Sequence, residues 1–246
     1  MTTTPQHELL GKRARDLIKY LVRLIPDIEW IQFFEYRPVQ LLQDRCALSP
    51  RDKTIVEAAL KLRDELKLPF WDGVMLTCFS ATGDLSKIFE GGLFHQHSGE
   101  LKSLARKEIE EGALESLLAT TNPTTGVALS SEVICKSGAH AHIPLLDFHC
   151  PSTGSNLAVI QQVASILLPD GFIILESGKS FHAYGTRLYS PDQFRELLAR
   201  SLFFCPIIDR AYIAHQLLEG HAGLRILPGI GGKPEPVIVY VQLGEI

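Results

Sequence analysis

From Ile143 to Leu243, short apolar runs and amphipathic stretches alternate in an order that few folds accommodate. "IPLLDFH" (Ile143 to His149) is a short apolar strand ending in polar groups, and "SNLAVIQQVASILL" (Ser155 to Leu168) reads as a helix with a serine N-cap and a Pro-Asp-Gly stop. Two strands follow, "GFIILES" and "SFHAYGTRLY", joined by a tight turn at Ser177-Gly178-Lys179. The helix "SPDQFRELLARSL" then opens with a serine cap and a proline in its first turn. "CPIID", a helical "RAYIAHQLLEG", "GLRIL" and "PVIVYVQL" complete the run. The order is β-α-β-β-α-β with a short helical insertion before the last strands. It predicts an α+β fold built on a split βαβ, RRM-like or ferredoxin-like sheet with helices on one face.

The first half is more helical. Apolar residues recur at helical spacing from Leu9 to Leu24 and from Pro50 to Leu66. "GVMLTCFS" reads as a buried strand, and Leu101 to Ala119 as a third helix broken near Gly112. The cluster "TTNPTTG" marks a boundary near residue 125. We therefore expect an N-terminal helical α/β unit over 1–125 and the RRM-like unit over 126–246, packed as one integrated domain. A chain of 246 residues, 46% of them apolar, can bury a core of that size.

Composition excludes several classes. A net charge of −4 and a pI near 6.1 speak against a broadly basic, DNA-coating surface and leave room only for a local positive groove. The five cysteines (Cys46, Cys78, Cys135, Cys150, Cys205) are scattered and lack any CxxC pair, so neither a disulfide framework nor a zinc knuckle is indicated. They read as buried thiols in a reducing compartment. The start "MTTTPQHELLGKRARD" lacks a basic-then-apolar leader, and no apolar run approaches membrane length. The expected location is cytoplasmic, with no membrane partner.

Gly178-Lys179-Ser180 mimics the end of a phosphate-binding P-loop, but that loop needs four residues between its glycines before Lys-Ser/Thr. Here six residues, Phe172 to Ser177, separate Gly171 from Gly178, and strand character follows. The polar residues at strand ends are more informative. Asp147 and His149 alternate with Leu146 and Phe148 and leave one face together. Ser180 and His182 do the same on the hairpin strand, and Asp209 closes the apolar run "PIID". In a sheet of this topology such ends can converge on one open face. They then offer an O, N, O ligand set, with a histidine nearby, suited to a divalent cation and a phosphate.

These residues resemble the archaeo-eukaryotic primase superfamily, which includes primase-polymerases. That family carries an apolar strand ending Asp-x-Asp, then Ser-x-His, then an apolar residue followed by Asp. This chain has "LLDFH", "SFH" and "IID" in that order, and "GLRILPGIGGKPEP" is similar to the family's Leu-Arg-x-Pro-Gly stretch with a following Lys-Pro. The resemblance covers roughly residues 140–240. It implies a nucleotidyltransferase that adds nucleotides on single-stranded DNA by attack of a 3′-hydroxyl on the α-phosphate of a nucleoside triphosphate. Asp147 and Asp209 match the metal-binding carboxylates, and Ser180 and His182 match the motif that meets the incoming triphosphate. His149 stands where the family usually has its second aspartate. An imidazole there removes a charge and shifts preference from Mg²⁺ toward Mn²⁺. Arg225 and Lys233 would supply positive charge to triphosphate or template backbone. Unwinding would fall to a helicase or another replication protein.

Other readings of the same residues stay open. A nucleotide- or nucleic-acid-binding module on this fold could have lost the chemistry. A metal-dependent phosphoesterase would use His140 and His142 of "HAHIP" with Asp147 and His149. Individually, Asp147 and Asp209 suit turns or helix caps, and His182 suits a half-buried strand position. His95 and His97 fall in a Gly-rich loop, and the "KRAR" of Lys12 to Arg15 reads as a solvated helix face.

Overall fold

The computed structural model describes residues 8–36, 48–66, 68, 70–79, 88, 101–121, 126–229 and 232–244. In chain order its elements are α1 (Ala14–Leu24), β1 (Ile28–Tyr36), α2 (Pro50–Leu66), α3 (Phe70–Phe79), β2 (Leu101–Ala105), α4 (Arg106–Glu110) and α5 (Ala113–Thr120). Then follow β3 (Gly126–Cys135), β4 (His140–His142), β5 (Leu145–Asp147), α6 (Gly154–Leu167), β6 (Gly171–Glu176) and β7 (Phe181–Gly185). The last are α7 (Pro191–Ser201), α8 (Arg210–Glu219), β8 (Gly223–Arg225) and β9 (Val237–Leu243). Contacts divide the chain into two compact units, Met1–Arg37 with His97–Ile246, and Pro38–Gln96. The loop expected near residue 125, and His95, His97 and Cys46, lie outside the described residues. The remaining cysteines are free thiols, Cys78 and Cys135 buried, Cys150 and Cys205 partly exposed.

The smaller unit is a helix pair. Ile55, Val56 and Ala59 of α2 pack with Val74 of α3. A Cβ on Gly73 would lie 2.9 Å from the Ala59 carbonyl oxygen, so the helices meet at backbone distance. The strand expected in "GVMLTCFS" is thus part of a helix. A short apolar run has no periodicity to separate the two states, and here Gly73 gives the helix a close packing site.

The larger unit is α+β, as its element order predicts, and contains two antiparallel sheets. In the first the order is β2-β1-β3-β4, with β8 also paired to β3. In the second the order is β5-β7-β6-β9. There β7 lies between β5 and β6 and is antiparallel to both, which is the expected split βαβ. The apolar run of β6 is buried from Gly171 to Leu175 because strands flank it on both sides, and Phe148, Phe172 and Tyr184 anchor the core beside it.

The helix starts follow their caps. Ser190 and Gln193 form a reciprocal capping box on α7, with Pro191 at its first position. For α6 the cap is Thr153, which accepts from the Asn156 N–H, two residues before the serine expected from the sequence. Leu101–Ala105, expected at the start of a helix, is the strand β2 paired to β1, and the helical remainder is divided at Gly112, whose φ of 97° stops α4. "GLRIL" contributes β8 to the first sheet rather than to the second. Residues just before α1 hydrogen-bond to the start of β9, through Gly11 N–H to Ile238 O at 2.9 Å and Ile238 N–H to Lys12 O at 2.8 Å.

Candidate active site

Backbone pairing brings three of the anticipated side chains together. Asp147, the last residue of β5, is directly opposite His182 of β7, and their side chains approach to 3.6 Å. Beyond β5 the chain continues beside the "IID" segment. Phe148 bridges Ile208, His149 N–H donates to Ile207 O at 2.7 Å, and Asp209 N–H donates to Asp147 O at 3.1 Å. Asp209 is therefore fixed next to Asp147. Its carboxylate also caps α8, accepting from Ala211 N–H at 2.8 Å and Tyr212 N–H at 3.2 Å. The capping role and a site role are compatible, because the second oxygen, Oδ2, faces His149 Nδ1 at 3.8 Å. His149 is largely exposed, so the anticipated Asp147, His149 and Asp209 occupy one rim.

The electrostatics follow from this enclosure. A third of the Asp147 side chain meets solvent, yet burial and then the charge of Asp209 raise its carboxyl to about 7, against the opposing charges of Lys233 and Arg225. His182 is buried, and burial, then Arg225 and Lys233, lower it to about 3. The imidazole is neutral at physiological pH, and its buried Nδ1 has no hydrogen-bond partner among the described residues.

Ser180 and Arg225 sit at the site in a different manner from that expected. Ser180 Oγ donates to Phe148 O and accepts from Cys150 N–H at 3.3 Å. Its one proton is committed, so the hydroxyl ties the His149 segment to β7. Arg225 donates to the carbonyls of Leu227, Pro234 at 2.8 Å and Ser177 at 2.6 Å, while its charge acts on Asp147 and His182. Lys233 is exposed and bridged to Gly229, and its charge reaches both Asp147 and His182.

Two tyrosines belong to the same cluster and went unnoticed in the sequence. Tyr184 lies two residues from His182 on the same face of β7, with a buried hydroxyl that has no hydrogen-bond partner among the described residues. Tyr212, three residues beyond Asp209, donates to Leu145 O at 3.4 Å. Burial raises both phenols, and the Asp147 charge adds to each shift. The i+2 and i+3 spacings from the motif residues are the signals that point to them.

His140 and His142 are engaged elsewhere. His140 Nδ1 meets Glu132 at 2.6 Å. His142 is buried, bonded to Ser131 Oγ at 3.1 Å and stacked on Phe194 with ring centroids 4.3 Å apart. Arg13 and Arg15 of "KRAR" bind Glu235, so that segment is not simply a solvated face. Among the described residues no group of three His, Cys, Asp or Glu side chains is assembled to hold a metal ion. Nor is any of their helices long and apolar enough to cross a membrane.

The sequence model of the family described as archaeo-eukaryotic primase 1D-like matches residues 105–234, over half of the chain. The chain belongs to this family. The match spans all three motifs and every residue of the cluster described above. At family level the protein is a primase-type nucleotidyltransferase. Among curated proteins and among solved structures, nothing matches.

Proposed function

We propose that this primase-family chain is a divalent-metal-dependent nucleotidyltransferase that adds nucleotides on a DNA template. The observation that carries the reading is the Asp147–Asp209 pair, joined by the 3.1 Å backbone bond opposite His182. Two carboxylates on backbones so joined, one of them raised to about 7 by burial and by the charge of the other, form a site that gains from a cation. Asp147 and Asp209 would hold the ion, with His149 at their side. One or two carboxylates completed by substrate phosphates is the donor set such hard cations use. Bound there, Mg²⁺ or Mn²⁺ would supply charge neutralisation for the triphosphate and a lower pKa for the attacking hydroxyl. The imidazole of His149 in place of a carboxylate favours Mn²⁺.

The protein's own groups divide the remaining work. Lys233, exposed beside the site, meets the phosphates of the incoming nucleotide as a point charge. His182, neutral and enclosed, presents its ring to the same phosphates without competing for the metal. Ser180 keeps the His149 segment against β7. The 3′-hydroxyl then attacks the α-phosphate in line and pyrophosphate leaves.

The test is incorporation of labelled dNTPs and NTPs on single-stranded DNA, with and without a primer, in Mn²⁺ and in Mg²⁺. Extension by the wild type, lost in Asp147→Asn and Asp209→Asn, is the expected result. Absence of extension in either metal, with metal-dependent nucleotide binding still measurable by calorimetry, would overturn it. The chain would then be a binding module, the alternative that His149 at a carboxylate position favours.

A further inference from the structure

Ser177-Gly178-Lys179 does more than reverse the chain between β6 and β7. The loop that follows β8 lies directly on it. A Cβ placed on Gly178 would be 2.6 Å from Pro234 Cδ, and Gly178 has φ of 100°, so turn and loop meet at glycine distance. Ser152 Oγ reaches the Gly178 carbonyl at 3.4 Å from the other side.

The loop is fastened at two points. Arg225 donates to Leu227 O and to Pro234 O at one end of the loop and at the other, and to Ser177 O in the turn. Gly229 sits in between, with room for no Cβ, since one would be 2.9 Å from Lys233 Cβ and 3.3 Å from Arg225 Cδ. On the far side of Pro234, buried Glu235 accepts from Arg13 Nη1 at 2.8 Å and from Arg15 Nε at 2.8 Å and Nη2 at 2.6 Å. Lys233 lies between the two fastenings, exposed and one residue from the contact with Gly178.

We propose that Arg225 and Glu235 are positioning residues that hold residues 226–229 and 232–235 on the Ser177–Ser180 turn, so that Lys233 meets the nucleotide's phosphates, and that neither touches the nucleotide. This rests on the nucleotidyltransferase reading of the site. Arg225 places its donors on carbonyls, in a planar fork that an ammonium cannot reproduce. Glu235 is two residues from Lys233, and its partners Arg13 and Arg15 begin α1.

A double-mutant cycle with dATP in Mn²⁺ as the calorimetric probe tests the idea. Lys233→Ala raises the Kd about tenfold, the loss of one charge-assisted phosphate contact. Glu235→Gln and Arg225→Lys each raise it severalfold in the wild-type background and leave it unchanged in the Lys233→Ala background. Hydrogen exchange gives a second readout independent of nucleotide. The Gly229 amide, bonded to Lys233 O at 2.8 Å, exchanges faster in both positioning variants. Effects of Glu235→Gln or Arg225→Lys that persist in full when Lys233 is absent, or unchanged Gly229 exchange, would overturn the proposal while leaving the site reading intact. A wild-type chain that binds no dATP overturns both.

Discussion

Asp147→Asn probes how far the fold holds a carboxylate against its preference. Burial and the neighbouring charge of Asp209 lift this acid from 3.8 to about 7. A folded pKa above the unfolded one supports the fold at low pH, and that support is lost as pH rises through the folded value. At about 1.4 kcal/mol per tenfold change in acidity, the rise from 3.8 to about 7 bounds the cost at ~4 kcal/mol above pH 7. A third of the side chain meets solvent, and screening reduces that cost to about 1–2 kcal/mol. Urea unfolding in EDTA, followed by circular dichroism, should therefore find Asp147→Asn more stable than wild type by about 1–2 kcal/mol at about pH 8. The difference should shrink severalfold by about pH 4.5, where the native carboxyl is neutral. Adding Mn²⁺ at pH 8 should stabilise wild type and leave the variant behind. A variant destabilised equally at both pH values would refute the reasoning, because a carboxylate supporting the apo fold cannot be under electrostatic strain.

His182 carries the opposite slope. Its lowered folded pKa, about 3 against 6.5, gives stability that is complete above pH 6.5 and is lost as pH falls. His182→Gln should flatten the acid limb of the stability profile measured by urea titration between about pH 6.5 and 4.5. Gly178→Ala forces a side chain into left-handed backbone and against Pro234, and should lower stability by about 1–3 kcal/mol in the same assay. Asp209→Ala removes the α8 cap at about 1 kcal/mol, while Asp209→Asn keeps it; thermal denaturation should separate the two although neither supports extension.

The second sheet and the helices joined to it were legible because their signals are local. The hairpin turn, the Ser190 capping box and the buried run of β6 are each written within a few residues. The first sheet was not, because β1 and β3 have no turn between them and pair across roughly a hundred residues, with register shifts that break simple alternation. The α3 helix was missed where ten apolar-rich residues suit strand and helix alike, and a contact between Gly73 and Ala59 decides. In the site, strand alternation located Asp147 and His182, and the end of an apolar run located Asp209. What alternation cannot convey is where a donor is spent. Ser180 and Arg225 have residue types that suit a phosphate, yet carbonyls of distant segments take their protons.

Arg13 and Glu235 are 222 residues apart. At a synthesis rate of about 5–20 residues per second, the partner of the α1 entrance leaves the ribosome roughly 10–40 s after Arg13. Until β9 emerges, one edge of β6 has no strand beside it, and an unpaired apolar edge is where nascent chains associate wrongly. The clamp that holds the Lys233 loop is thus among the last features to close during biosynthesis. Expression yield, before any assay of function, will depend on shielding that edge through the interval, by slow growth at low temperature or by a chaperone.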